Sequence, residues 1–284
     1  MDKTFKIGDF SFRLTAPDTL PIPDNFRLFE TRDIPEHTYA LEFTDRIPQP
    51  DGPILARRPD LLVFSTEGGE GRLMASRGLS ALYASFREEA PNLSRVYVNP
   101  QAMSLLSLDP AFVSLFALER KMLDHDALIL HCAYIVHNGE AILFSAPSGV
   151  GKSTQASLWE RYRGARTING DRCLLRKIGG RWHASPWPVC GSSGICRLGD
   201  FPIRAIVMLA QAPHNEAAPL PPARAFSELY AQITVNQWNP AFVTKTMTLL
   251  EDLVSSLRVF RLRCDISEAA VQELERALNA ATDP

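Results

Sequence analysis

The stretch FSAPSGVGKSTQ, Phe144 to Gln155, decides the fold of the second half of the chain. Apolar residues come first, then a turn with two glycines, then a lysine and two hydroxyl residues that open a helical segment. Ala146 to Ser153 match the phosphate-loop pattern G-x-x-x-x-G-K-[ST] at every position except the first, where alanine replaces glycine. That replacement costs little if the position does not need a positive φ.

The matched residues fit a triphosphate for a chemical reason. Gly149 and Gly151 allow successive backbone N–H groups to point at phosphate oxygens, and a helix starting near Lys152 adds its positive end. Lys152 is placed to reach the β- and γ-phosphates, and Ser153 to ligate Mg²⁺ with Thr154 beside it. The alternative is a chance strand-to-helix turn that carries a lysine. The predicted nucleotide-binding residues are Ser148, Gly149, Val150, Gly151, Lys152, Ser153 and Thr154.

Length and composition limit the number of domains and the classes of protein to which this sequence can belong. The 284 residues suggest one large domain or two, and 45% hydrophobic with 22% charged residues is typical of a globular protein. A net charge of −2 gives no basic surface for nucleic acid. Apolar runs such as Ala127 to Val136 fall short of the roughly 20 residues of a membrane helix, and the N-terminus lacks a secretion signal. We therefore expect a cytoplasmic protein without nucleic-acid or membrane partners.

Two domains are predicted. Residues 1–110 contain short segments of alternating apolar and polar residues, including a hairpin closed by Glu67 to Glu70, which indicates a strand-rich domain. In a kinase this domain would help to recognise the acceptor, or it would pack against the core. Apolar residues at helical spacing from Pro110 to Asp126 predict a helix that opens the second domain, residues 111–284. In that domain two strands lead into the loop, and Ile203 to Gln211 reads as a buried strand.

Phosphoryl transfer also needs a carboxylate, for the metal ion or for the attacking hydroxyl. The strand Ile203 to Gln211 ends without one. The candidate is Asp171, at the end of ARTINGD and 18 residues past Ser153. An ordinary turn aspartate beside Gly170 is the alternative interpretation.

The segment LHCAYIVHNGEAILFSAPSGVGKSTQ…TINGDRCLLRKIGGRWHASPWP resembles the C-terminal catalytic domain of HPr kinase/phosphorylase. More closely, it resembles the broad set of HPr-kinase-like proteins with the fold of phosphoenolpyruvate carboxykinase. His131 matches the histidine of the strand before the loop strand, and Trp187 matches a Pro-Trp element after the next hairpin. Where that family has two acids, this sequence has Gly170-Asp171. The resemblance covers about Leu128 to Phe226.

The resemblance implies an α/β (α+β) phosphoenolpyruvate-carboxykinase-like P-loop kinase core with a mixed sheet, and it implies ATP and Mg²⁺ as cofactors. Lys152 and the loop amides would hold the ATP phosphates, and Ser153 with Asp171 would hold Mg²⁺. Asp171 would also accept the proton of the acceptor hydroxyl. Because one acid remains, it stays open whether Asp171 acts as base, metal ligand or both. Reverse phosphorylase activity is less expected, and decarboxylation is not expected.

Three further residues carry two interpretations each. His131 contacts phosphate or tunes Asp171, or it is a core histidine on an apolar strand. Trp187 walls the acceptor pocket, or it is plain packing. The Gly- and Ser-rich loop Cys190 to Arg197 closes over substrate so that Arg197 stabilises transferring charge, or it is a solvated loop.

These residues favour a kinase that phosphorylates a hydroxyl, with a Ser of a peptide or protein as the preferred acceptor and a metabolite as an alternative. A non-catalytic nucleotide sensor, a peptide-binding module and an ATPase without an acceptor are the rival hypotheses. The acceptor, the choice between ATP and other nucleotides, and homo-oligomer formation are not fixed by the sequence.

Overall fold

The computed structural model describes residues 1–75 and 82–280. It forms two compact units, Met1–Lys121 and Met122–Pro284. This division lies eleven residues after the predicted boundary at 110/111, and residues 281–284 of the predicted second domain lie outside the described residues. None of the helices in the described ranges has the length and apolar character that crossing a bilayer requires.

The first unit is rich in strands. Its strands are β1 (Asp2–Ile7), β2 (Phe10–Thr15), β3 (His37–Phe43), β4 (Ile54–Arg57), β5 (Leu61–Thr66), β6 (Gly69–Ala75), β7 (Leu82–Ala90) and β8 (Leu93–Val98). Its helices are α1 (Asp24–Arg27), a 3₁₀ helix (Pro100–Ser107), α2 (Asp109–Ser114) and the start of α3 (Leu118–Asp124). The strands form one sheet in the order β1-β2-β3-β8-β7-β6-β5-β4, in which β3 is parallel to β2 and β8 and the other pairs are antiparallel.

Aromatic packing moves the boundary past residue 110. Phe112 lies 4.9 Å from Phe26 between ring centroids, and Phe116 lies 5.1 Å from Tyr39. All four rings are fully buried, so α2 belongs to the core of the first unit. The single helix expected over 110–126 is divided into α2 and α3, with Ala117 at φ 47° between them.

The second unit carries the loop. Its strands are β9 (Leu128–His137), β10 (Glu140–Ser145), β11 (Arg166–Asn169), β12 (Arg172–Ile178), β13 (Arg181–Pro186), β14 (Phe201–Gln211), β15 (Glu216–Pro219) and β16 (Val259–Cys264). Its helices are α4 (Lys152–Arg163), a 3₁₀ turn (Gly191–Ser193), α5 (Pro222–Tyr230), α6 (Pro240–Ser256) and α7 (Glu268–Ala280).

This second sheet is also mixed. Strand β14 lies between β10 and β16 and runs parallel to both, so the carboxyl ends of the three strands lie at the same edge of the sheet. Strand β9 runs antiparallel to β10 and on its other side pairs with β12 and β11. Ligands of α/β sheets bind outside the carboxyl ends of parallel strands, and the loop after β10 lies at that edge.

Helices cover both faces of the second sheet. Ile142 and Phe144 of β10 pack in one buried cluster with residues of α4 and α7. Leu143, on the opposite face, packs in another cluster with residues of α5 and α6. The apolar run of β10 is thus explained by a strand that is buried on both sides. The architecture is a mixed α/β chain with two mixed sheets. This confirms the α/β class and the mixed sheet that were predicted from the sequence.

Candidate functional site

The loop between β10 and α4 has the backbone that its glycines permit. Gly149 has φ 83° and Gly151 has φ 120°, and nothing lies within 4 Å of where a Cβ would be at either position. These glycines are therefore required by backbone conformation, not by crowding. The φ of Ala146 is not positive, and its side chain is buried. Alanine at the first position of the pattern therefore carries no backbone strain.

Lys152 is folded back across this loop. Its Nζ donates to the carbonyl oxygens of Ala146 at 3.0 Å and Pro147 at 3.4 Å, and the residue is only 8% exposed. Burial lowers the pKa of Lys152, and the charge of Asp171 opposes that shift. A buried ammonium with only two neutral acceptors is suited to an anionic ligand, which offers stronger charge-assisted bonds. Ser153 follows with an exposed side chain.

Strand pairing brings the other two predicted catalytic residues together. Arg172 lies opposite His131 in the β9–β12 register, so Asp171 comes beside His131. His131 Nε2 lies 3.5 Å from Asp171 Oδ1, and His131 Nδ1 lies 3.4 Å from Gln232 Oε1. The Oγ of Ser145, the last residue of β10, donates to the carbonyl oxygen of His131 at 2.8 Å. The loop strand and the His131 strand are therefore tied at the same edge.

Asp171 lies in a positively charged environment. A hydrogen bond from His131 lowers the pKa of Asp171, and the charges of Arg172 and Lys152 lower it further against the opposing effect of burial. Arg172 Nε lies 3.3 Å from Asp171 Oδ2. Lys152 and Asp171 each influence the pKa of the other, so the structure brings Lys152, His131 and Asp171 into one electrostatic group.

We predict that acid weakens the fold through Asp171. An unfolded aspartate titrates near pH 3.9. Because the folded pKa of Asp171 is lowered, its stabilising contribution is complete above that value and is lost as pH falls through the folded pKa. The melting-temperature difference between the unaltered chain and Asp171→Asn should be level above about pH 5 and shrink below about pH 4. Thermal melts from pH 7 to pH 3 test this, and a constant difference would contradict it.

Asn169 supports the turn at Asp171 and was not among the residues predicted from the sequence. It is fully buried, and its Oδ1 accepts the backbone N–H groups of Asp171 and Arg172, both at 2.9 Å. Its Nδ2 donates to the carbonyl oxygens of Trp187 at 2.8 Å and Val189 at 3.1 Å. Asn169 thus fixes the turn that presents Asp171. The Asn-Gly-Asp sequence, typical of an Asx turn, was the available signal.

The 190–194 turn lies against Gly170 and Asp171. A Cβ at Gly170 would lie 2.2 Å from Ser193 Oγ and 2.4 Å from Ser193 Cβ. A Cβ at Gly191, where φ is 59°, would lie 3.0 Å from Asp171 Cβ. Ser193 therefore occupies the space into which any side chain at position 170 would project.

The part of the chain that contains this site matches a known protein family. Residues 97–279, well over half of the chain, match the family model described as SynChlorMet cassette protein ScmC. The chain belongs to the ScmC family. The match takes in the loop, His131 and Asp171.

One solved structure that this ScmC-family chain resembles is the Hpr(Ser) kinase/phosphatase from Coxiella burnetii. The two are 11% identical, the alignment covers 55% of this chain and 92% of the other, and the TM-score is 0.34. No curated protein sequence matches the ScmC-family chain.

The two predicted substrate residues of this ScmC-family chain make their hydrogen bonds to backbone groups and to Asn169, and no side-chain contact links them to Lys152 or Asp171 among the described residues. Trp187 is buried and contributes its carbonyl oxygen to Asn169. The Arg197 guanidinium donates to the carbonyl oxygen of Thr167, and the Arg197 backbone N–H donates to Ile168 at 2.9 Å, both on β11. Within residues 1–75 and 82–280, no group of three or more His, Cys, Asp or Glu side chains is placed to hold a metal ion.

Proposed function

We propose that the chain is a phosphotransferase that uses ATP and Mg²⁺ and transfers the γ-phosphoryl group to a hydroxyl, with a Ser of a peptide or protein as the favoured acceptor. The observation that carries this proposal is the electrostatic group of Lys152, His131 and Asp171 beside the loop. A cation that grips phosphate and a carboxylate across from it are the parts that phosphoryl transfer requires.

The loop supplies the nucleotide grip. Positive φ at Gly149 and Gly151 supports a turn of inward N–H groups, and α4 begins at Lys152 with its positive end toward the loop. The Lys152 ammonium would exchange its two loop carbonyls for phosphate oxygens. Because it is buried, that exchange takes place where electrostatic interactions are strong.

The residues present fit Mg²⁺, which proteins usually bind through one or two carboxylates together with substrate phosphates. The Asp171 side chain is 27% exposed and is held ionised by its lowered pKa, and the Ser153 hydroxyl is exposed in the first turn of α4. Ser153 and Asp171 would hold the ion, which would neutralise charge on the phosphates. A base works best with a pKa near the working pH, so the lowered pKa of Asp171 makes it a weak base that would take the acceptor proton in addition to holding the ion.

In the transfer, the acceptor oxygen forms a bond to the γ-phosphorus as the bond to the bridging β–γ oxygen breaks. ADP leaves, and the acceptor proton passes to the Asp171 carboxylate. His131 positions that carboxylate through Nε2, and Gln232 lies against the other ring nitrogen. Lys152 remains on the phosphates throughout.

A non-catalytic nucleotide sensor is the second candidate. Position 170 is glycine, and Ser193 occupies the space beside it. A single acid is enough to hold a metal–nucleotide complex without completing catalysis. γ-Labelled ATP with Mg²⁺ and a panel of Ser-containing peptides separates the functions. Label transferred to a peptide supports the proposal, label transferred to a small hydroxyl compound supports a metabolite kinase, and binding without turnover supports the sensor.

We predict that Gly191→Ala disturbs transfer and that Gly194→Ala does not. Both glycines have φ near 60°, so each alanine should cost about 1–2 kcal/mol of stability. Only the alanine at 191 would press on Asp171, because a Cβ at 194 meets nothing within 4 Å. Transfer should therefore fall about ten- to a hundredfold for Gly191→Ala alone. Equal rates for the two variants, at matched stability, would refute this coupling.

A further inference from the structure

A cavity of about 710 Å³ lies beside the loop, at the carboxyl ends of β14 and β16. Its size is in the range of small-molecule sites. The residues that matter here are Gly149, Gly151, Gln155, Leu209, Cys264 and Ile266. The site proposed for the phosphates and this cavity thus share the loop glycines.

Gln155, which lines this cavity, carries a hydrogen-bond acceptor that no described residue uses. The residue is 3% exposed, and its Nε2 donates to Cys264 Sγ at 3.2 Å and to the Asp265 carbonyl oxygen at 3.3 Å. The Asp265 carbonyl oxygen can only accept, so that bond requires the amide nitrogen at this end of the side chain. Its Oε1 is buried and has no hydrogen-bond partner among the described residues. Buried carbonyl groups are normally paired, so this oxygen is suited to a donor on a ligand.

The strand order indicates which end of a bound nucleotide lies toward Lys152 and which end lies toward the cavity. The order β9-β10-β14-β16 places His131 and Asp171 on one side of the loop and the cavity on the other. At about 4.8 Å per strand, β9 and β16 are roughly 14 Å apart. Asp265 lines the cavity, and bonds from Ser267 and Asn215 lower its pKa and keep it anionic. Phosphates are therefore favoured toward Lys152, and the uncharged end of a nucleotide toward the cavity.

We infer that this cavity is the nucleobase subsite and that Gln155 is its specificity-determining residue, which selects a 6-aminopurine over a 6-oxopurine. The inference rests on the proposed nucleotide binding and names the residue that chooses the base. The 6-amino group of adenine donates to Gln155 Oε1, whereas the 6-oxo group of hypoxanthine or guanine would face it with a second acceptor. Burial raises the pKa of Cys264 to about 11, so the thiol beside Gln155 is uncharged at neutral pH.

Binding of ATP, ITP and inorganic tripolyphosphate to the full chain with Mg²⁺, measured by isothermal titration calorimetry, tests this inference. ITP differs from ATP only in the base, where a 6-oxo group replaces the 6-amino group and N1 carries a hydrogen. The unaltered chain should bind ATP at least about tenfold more tightly than ITP. Gln155→Met keeps the length of the side chain and removes the acceptor. It should erase the ATP preference and leave the tripolyphosphate affinity unchanged.

Equal affinity of the unaltered chain for ATP and ITP would overturn the inference, and that comparison does not depend on how a variant folds. An ATP preference that survives in a folded Gln155→Met chain would also overturn it. In either case the proposed function would still stand if the unaltered chain binds tripolyphosphate and Lys152→Ala abolishes that binding. If the unaltered chain binds none of the three ligands, the proposed function fails and this inference fails with it.

Discussion

Lys152→Ala is expected to lower the affinity for ATP and for inorganic tripolyphosphate about a hundredfold or more and to remove transfer. A hydrogen bond to a charged group contributes about 1.5–3 kcal/mol, and each 1.4 kcal/mol is a factor of ten in affinity. Nζ lies at the centre of the loop, on the carbonyl oxygens of Ala146 and Pro147, where phosphate oxygens would replace them. Calorimetry with both ligands measures the loss.

Lys152→Ala should leave the fold intact. Burial lowers the pKa of Lys152, which means that its charged form is poorly solvated in the folded chain. Removing the charge therefore sacrifices little stability. Lys6→Ala is the matched control, since Lys6 is an exposed lysine paired with Asp33 in the first unit. A Lys152→Ala chain that binds tripolyphosphate as tightly as Lys6→Ala would show that the loop is not a phosphate site.

Asp171→Asn is expected to reduce transfer about a thousandfold or more and to change ATP binding only a few-fold. Asparagine keeps the size of the side chain and an oxygen for His131, but it loses the charge that would hold Mg²⁺ and accept the proton. The readout is label transferred from γ-labelled ATP to a peptide that the unaltered chain phosphorylates. Full activity in this variant would refute the role of Asp171.

The Mg²⁺ dependence of the residual transfer and a control variant distinguish the two roles of Asp171. If Asp171 binds the metal ion, residual transfer by Asp171→Asn should need a higher Mg²⁺ concentration for half-maximal rate. If Asp171 acts only as a base, the Mg²⁺ dependence should not move. Asp200→Asn is the control, because Asp200 is also an acid of the second unit that pairs with an arginine, Arg176, but it is 43% exposed.

The loop was the most predictable part of the site because its information is local. Two glycines, a lysine and a strand-to-helix transition within one short stretch determine where the chain turns and which backbone angles it needs. The partners of Gln155 were not predictable in this way, because Cys264 and Asp265 are more than a hundred residues away in sequence. No periodicity in a single chain gives such a pairing.

The position at which the two compact units divide was not predictable for a related reason. The helical spacing of Phe112 and Phe116 was visible in the sequence, but periodicity does not say which core a helix packs against. Rings of Phe26 and Tyr39 supply that core. The interpretation of Trp187 was open for the same reason, and burial settles only that the ring is inside the second unit.

By itself the sequence determined the turn at Gly149 and Gly151 and the start of α4 at Lys152, because these depend on backbone angles and neighbours in the chain. Only the tertiary structure decided that Asp171 comes beside His131, since the β9–β12 register sets that contact. It alone placed Ser193 against Gly170 and left Gln155 Oε1 without a partner. Those outcomes depend on which distant segments pack together, and no single stretch of residues determines that packing.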